Sequence, residues 1–289
     1  MKLGFVYPQN EVPAAPEVLK EMAFALEKEG YDHMLVYEHV LGANPNRRGG
    51  WTGVYSSQDA FWDPFTMFSY LAGAGSNLEM VTGILILPQR QAALVAKQAA
   101  CVDLMAKGRL RLGVGLGWNE LEYAGLGKNF NNRGIRLEEQ VQVLRELWTK
   151  PLVTFAGRWH AIDDCGINPL PMQQPIPVWF GGGAEKAIER MARMGDGWFP
   201  GPRTVADARP QLEQMTSALK RNGRTWKGFG LEPRVVFKRG QEGEFKRNVA
   251  EWLDVGATHI CVNTLGQGYD TPSAHLDALG EALHALAAG

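Results

Sequence analysis

Residues 178–187 read "VWFGGGAEKA": an apolar run, three glycines, then the first turn of a helix. This is one strand–helix unit, and it gives the rule by which the rest of the chain is read. Glycines at such a junction let backbone approach a ligand closely, and the helix start offers free N–H groups at the positive end of its dipole. From the loop alone, a phosphate cradle and a tight turn that only glycine fits are equal readings.

Working outward, β-rich runs recur at Leu3–Tyr7, His33–His39, Met80–Leu87, Leu110–Gly115, Pro177–Phe180, Gly197–Pro200, Glu232–Phe237 and Thr258–Asn263. Most are followed by a segment with helical spacing of apolar residues, such as "PEVLKEMAFALEKEG". Gly30, Gly108 and Gly256 fall where those helices should stop. Several runs are apolar on both faces, as in a parallel sheet covered by helices. Eight such units predict an α/β fold, a (β/α)8 TIM barrel, in preference to a doubly wound open sheet, which needs no eighth unit. Two stretches exceed ordinary loop length, near 41–62 and 150–174. Both are expected to be insertions bearing on the site, the second including a small hairpin in "LVTFAGRWHAI".

The 289 residues, 45% of them hydrophobic, suffice for one large domain, expected here over 1–289. The 30 basic and 31 acidic side chains are mixed along the chain, which argues against nucleic acid and anionic membrane as partners. Cys101, Cys165 and Cys261 are too far apart for a disulfide framework or a zinc spacing. The first apolar run ends at Pro8, too soon for a signal peptide, and "VTGILILP" is too short to span a bilayer. A cytoplasmic protein is expected.

Among the motifs, Gly113 and Gly115 begin a G-x-G pattern, but Trp118 stands where a dinucleotide fingerprint needs glycine. Small residues at the end of the fourth strand either leave room for a flat ring or relieve crowding in the barrel. "LVYEHV" puts Glu38 and His39 at the end of the second strand, where ionisable groups of a barrel tend to serve the site. Alternation would aim only one of them inward. His39 suits proton transfer near neutral pH. A metal cluster from His160, Asp163, Asp164 and Cys165 lacks a second ligand group, and no metal is expected. Trp51, Trp62, Trp118, Trp179 and Trp198 concentrate near the expected mouth, as core or as stacking walls.

The ordered series "VYEHV", "DPF" at Asp63–Phe65, "ILILPQRQAALVAKQAACVDLMAKGRLRLGVGLGWNELEYAGLG", "NNRGIRLEEQVQVLRELW" and "IPVWFGGGAEKAIERMARMGDGWFPG" resembles the bacterial luciferase-like flavin and deazaflavin oxidoreductases along nearly the whole chain. The resemblance implies a barrel that binds its ring at the C-terminal mouth, with Gly181, Gly182, Gly183 and Ala184 at the cofactor phosphate. It implies His39 beside the reactive carbon, with Glu38 where those relatives usually carry Asp, and a cofactor platform at Gly117 and Trp118. It also implies a non-prolyl cis peptide against the ring, which counting back from Pro88 puts at Ile84–Leu85. The short length favours coenzyme F420, and hydride transfer between its C5 and a small organic substrate. Lys186 and Arg190 are then candidates for its acidic tail. FMN, with oxygenation of the substrate, is the alternative, and a non-catalytic flavin-binding relative is the second alternative. A homodimer is usual in the family and expected here.

Overall fold

The apolar runs pair side by side in chain order, and the helices between them pack outside. The structure is a computed structural model and describes residues 1–287. It opens with β1 (Lys2–Val6), α1 (Pro16–Glu29), β2 (His33–Val36), α2 (Pro64–Ala74), β3 (Glu79–Thr82), α3 (Ala92–Met105) and β4 (Leu110–Val114). Then come α4 (Glu120–Gly125), α5 (Arg133–Thr149), the strands β5 (Val153–Ala156) and β6 (Ala161–Cys165), β7 (Val178–Gly181) and α6 (Glu185–Met194). The chain continues with β8 (Gly197–Phe199), α7 (Val205–Arg221), β9 (Gly230–Leu231), β10 (Arg234–Val236), α8 (Glu242–Asp254), β11 (His259–Asn263) and α9 (Pro272–Ala287).

α1 shows why these segments are helical. Pro16 starts it, and Leu19, Met22, Ala23 and Leu26 recur on one buried face. Gly30 stops it at φ 112°, donating its N–H to Leu26 and Glu27 carbonyls. Each large side chain buried this way contributes roughly 1.5–3 kcal/mol.

The main sheet runs β10-β11-β1-β2-β3-β4-β7-β8-β9 with every pairing parallel. Its two ends, β9 and β10, are consecutive in the chain and separated only by Glu232 and Pro233. Glu232 donates its N–H to Trp198 O, and Pro233 O accepts from Cys261 N–H, each at 3.0 Å. This one segment therefore faces β8 with its first half and β11 with its second, which closes the eight-unit barrel. The seventh predicted strand, Glu232–Phe237, is thus reduced to β10 and preceded by the short β9, with Pro233, which has no N–H to donate, between them.

Two other predicted strands are shorter than expected. The second stops at Val36 rather than His39, and the third at Thr82 rather than Leu87. After Thr82 the chain crosses Gly83 and Ile84, and Leu85 alone rejoins β4, opposite Val114. The predicted hairpin within 150–174 is β5–β6, an antiparallel pair outside the barrel. The insertion near 41–62 carries no helix or strand.

The barrel interior holds a polar floor. Glu232 Oε1 meets His33 Nε2 at 2.8 Å, and its Oε2 accepts from Arg111, which also reaches Glu79. The Arg111 guanidinium lies 4.3 Å from the Trp179 ring. Burial alone would raise the Glu232 carboxyl, but Arg111 and His33 outweigh it and hold it far below the usual carboxylate range. His259, beside them, is lowered to about 3 by burial and by Arg111.

A depressed carboxyl contributes stability that is complete above its unfolded pKa, about 4.3, and fades as the pH falls below it. Glu232→Gln should therefore cost about 3–5 kcal/mol at neutral pH, by leaving Arg111 buried beside a neutral amide. Denaturant titrations of both proteins from pH 7 to pH 3 check this. The gap between them should narrow in the acid range.

Candidate functional site

The C-terminal ends of the strands open into a cleft of about 540 Å³, within the range of small-molecule sites. His39, Glu38, Ile84, Gly117, Trp118, Gly181, Gly182, Gly183 and Ala184 all line it. Leu85 does not. Its side chain is wholly buried in the core, while its backbone pairs with Gly113 and Gly115. The cis peptide lies one residue earlier than expected, between Gly83 and Ile84. Counting back from Pro88, across the 3₁₀ turn Leu87–Gln89, puts it one residue too far along the chain.

Ile84 forms the cleft wall, and glycines make room for it. A Cβ on Gly115 would stand 2.7 Å from Ile84 Cδ1, and one on Gly181 2.9 Å from its Cγ2. Gly113 has no room either, since a Cβ there would meet Thr82 O at 1.9 Å. The glycines of the fourth strand thus relieve crowding at the strand crossing, the simpler of the two readings.

Glu38 and His39 both line the cleft because they lie beyond the end of β2, where alternation no longer governs them. Their roles differ. Glu38 is buried, and its carboxylate accepts Ile86 N–H at 2.5 Å and Arg90 Nε at 2.6 Å. Burial pushes this carboxyl up, and Arg90 and the Ile86 N–H oppose the shift. Arg90 also reaches Asp63, whose other oxygen caps α2 through Thr66 N–H. Glu38 is therefore a tie between the end of the second strand, the third-strand crossing and the "DPF" helix start. Both of its oxygens are engaged, so this candidate catalytic residue is a positioning group.

His39 is held by a residue that the sequence reading missed. Glu122 Oε2 lies 3.2 Å from His39 Nδ1, and Oε1 accepts the N–H groups of Val40 at 2.5 Å and Leu41 at 3.1 Å. Burial would raise Glu122, but these partners hold it below the usual carboxylate range. The signal was present as "NELE", a capping pattern: Asn119 caps α4 by accepting Glu122 N–H. What the pattern hid is that the Glu122 side chain leaves its own helix for the loop after β2. The His39 ring also packs against Tyr55, Phe61 and Trp118, with centroids 5.3, 4.9 and 5.5 Å away. Tyr55 and Phe61 come from the 41–62 insertion, which thereby reaches the site.

The opposite end of the cleft is cationic. Gly182 has φ 120°, and its carbonyl accepts Trp198 Nε1–H at 2.7 Å, which fixes the turn. Ala184 caps α6 without a side-chain bond, so first-turn N–H groups stay available. Arg133, at the start of α5, lies over the Phe130 ring at 3.5 Å and pairs with no carboxylate among the described residues. Its buried Nε has no partner. Its Nη1 donates to Phe130 O at 2.8 Å, so the guanidinium is anchored but carries no counter-charge, and beside free N–H groups it fits a phosphate. Lys186 does not line the cleft, and Arg190 does, but Arg190 is buried and paired with Glu138 at 2.9 Å.

The candidate metal residues of the insertion are not gathered. His160 pairs instead with Glu139 at 2.7 Å. His33, Glu232 and Cys261 do cluster in the floor, but both Glu232 oxygens are engaged by His33 and Arg111.

A strand-end histidine and a glycine turn with a cationic end thus share one cleft at the mouth of an eight-unit barrel. The chain belongs to the luciferase-like monooxygenase family, whose profile matches residues 2–241. It is similar to pyrimidine monooxygenase RutA of Variovorax paradoxus, with 27% identity over 280 residues, 91% of this chain and 70% of that one. It is also similar to the FMNH(2)-dependent dimethylsulfone monooxygenase of Pseudomonas putida, with 30% identity over 190 residues, 64% of this chain and 52% of that one. In fold it resembles the coenzyme F420 dependent tetrahydromethanopterin reductase of Methanopyrus kandleri, with TM-score 0.77 over 97% of both chains at 12% identity. No helix among the described residues is long and apolar enough to cross a membrane.

Arg133→Ala should weaken FMN binding roughly 10–100-fold, the worth of a charge-assisted hydrogen bond, without moving the unfolding midpoint. Flavin absorbance titrations and thermal unfolding of both proteins check this. Unchanged affinity would reduce the cationic end to a structural feature.

Proposed function

We propose that this chain is a monooxygenase that takes reduced FMN, supplied from outside, and oxygenates a small organic substrate. The observation that carries this reading is one cleft with a phosphate-sized cationic end and, at its mouth, a histidine anchored by a carboxylate. When bound, reduced FMN supplies the two electrons with which dioxygen is split between product and water.

The residues of this chain divide the remaining work. The Gly181–Ala184 turn, with the Arg133 guanidinium, would hold the phosphate. Ile84 and Trp118 would flank the ring, and Trp118 is still 42% exposed, as a wall awaiting a ligand would be. With Nδ1–H donated to Glu122, His39 Nε2 carries the lone pair and is the atom to accept a proton from the substrate side. The Tyr55 and Phe61 rings help keep water from it.

Two points favour FMN over coenzyme F420, the first expectation from the sequence. The curated relatives named above are monooxygenases, one of them FMNH(2)-dependent. The basic groups expected for an acidic tail are not free: Arg190 is paired, and Lys186 lies outside the cleft.

Titration of the protein with each cofactor, followed by Trp fluorescence, should give tighter binding of FMN. His39→Ala should then lower substrate-dependent turnover by roughly 10²–10⁴-fold while FMN still binds. Tight binding of coenzyme F420 with negligible binding of FMN would restore the hydride-transfer reading. Binding of neither would leave the non-catalytic relative.

A further inference from the structure

The cleft carries a second cation that the cofactor phosphate does not use. Arg234, on β10, lines it together with Tyr37 and Tyr55. Its guanidinium lies 5.8 Å from the Tyr37 ring, and one Nη2–H donates to Pro200 O at 3.1 Å. Among the described residues it forms no ion pair. Of the three arginines lining the cleft, Arg190 is matched by Glu138, whereas Arg133 and Arg234 have no carboxylate partner among the described residues.

The topology separates Arg234 from the phosphate end. Arg133 and the glycine turn follow β4 and β7, whereas Arg234 belongs to the closing strand and faces the end of β2 across the mouth. Arg133 already accounts for one anion. Among the described residues Glu38 is the only carboxylate lining the cleft, and Arg90 neutralises it. A half-buried guanidinium without a counter-charge is costly unless a ligand completes it. Burial pushes the Tyr37 phenol well above its usual range and the Tyr55 phenol to about 12, so both remain hydrogen-bond donors at neutral pH. One guanidinium and two phenols lining the same cleft offer a donor set for an oxyanion. The neighbouring His39, Phe61 and Trp118 rings offer flat apolar surface to the body of the same molecule.

We infer that the substrate is a small organic anion, a carboxylate or sulfonate, whose charged end is seated on Arg234 beside Tyr37 and Tyr55. The inference rests on the flavin reading of the cleft and deepens it by naming the substrate class.

The test uses benzoate and benzenesulfonate as anionic probes and benzyl alcohol as the uncharged control. Each is titrated into FMN-saturated protein, with Trp fluorescence as the readout. FMN affinity is measured first and separately by flavin absorbance, so a protein that fails to take FMN sinks the flavin reading alone. The probe titrations are then repeated without flavin, as a check that anion binding does not depend on it. At least one anion should bind more tightly than benzyl alcohol, and the tighter one assigns the class. Arg234→Ala should weaken that anion about 10–100-fold and leave benzyl alcohol and FMN unchanged. Arg234→Lys, which keeps the charge, should recover part of the loss, and it serves as the folded variant if the alanine protein is unstable by circular dichroism. Arg133→Ala should do the reverse, weakening FMN and sparing the anion. Anions that bind no better than benzyl alcohol would overturn the inference. So would an Arg234→Ala variant that loses FMN and the anion equally, which would make Arg234 part of the cofactor site.

Discussion

The Arg111 guanidinium inside the barrel, held by Glu232 and Glu79 and lying against Trp179, is the constraint around which the walls are built. Glu232 occupies the joint where the closing strand changes neighbours, so the same residue completes the sheet and neutralises the interior charge. Bulky rings fill the remaining width: a Cβ on Gly230 would stand 2.0 Å from Trp179, and one on Gly4 2.1 Å from His33. A buried ion pair of this kind is weak evidence for stability but strict about register, because neither charge tolerates losing its partner. The floor thereby fixes where every strand ends, and so where the cleft begins.

Above the floor, the shape of the cleft depends on the third strand leaving the sheet early. Glu38 holds that departure from one side through the Ile86 N–H and Arg90. From the other side, the bare backbones of Gly115 and Gly181 admit Ile84. The outcome is one apolar wall carried on rigid elements, with its supports tied to the α2 cap through Asp63. Site geometry held by such second-layer contacts is better defined than geometry left to loops.

Charge along the cleft is uneven. Most of its ionisable groups are matched internally: Glu38 by Arg90, Arg190 by Glu138, His39 by Glu122. The exceptions, Arg133 and Arg234, lie on different parts of the barrel rim. A site with two unmatched cations far apart in the topology is suited to two separate anionic groups, and the rings between them suit the flat bodies that join those groups to the reacting atoms.

The sequence alone determined the architecture, because eight apolar runs separated by amphipathic helices admit few parallel arrangements, and the count selects the barrel. Residue type at strand ends also pointed to the glycine turn and His39, and the family resemblance pointed to the Ile84 region, all of which line the cleft. Tertiary structure decided what depends on side chains meeting across long intervals of chain. Glu38 was a candidate site residue whose role only its bond to Arg90, 52 positions away, defines. Glu122 was not singled out at all, since it matters only by meeting His39, 83 positions earlier. The cis peptide lies between Gly83 and Ile84, one residue before the pair expected from the resemblance. Arg234 had no local signature at all: a cation becomes informative only when every carboxylate around it is seen to be engaged elsewhere. Periodicity records which face of an element is buried, whereas the pairing of charges is a property of the closed barrel.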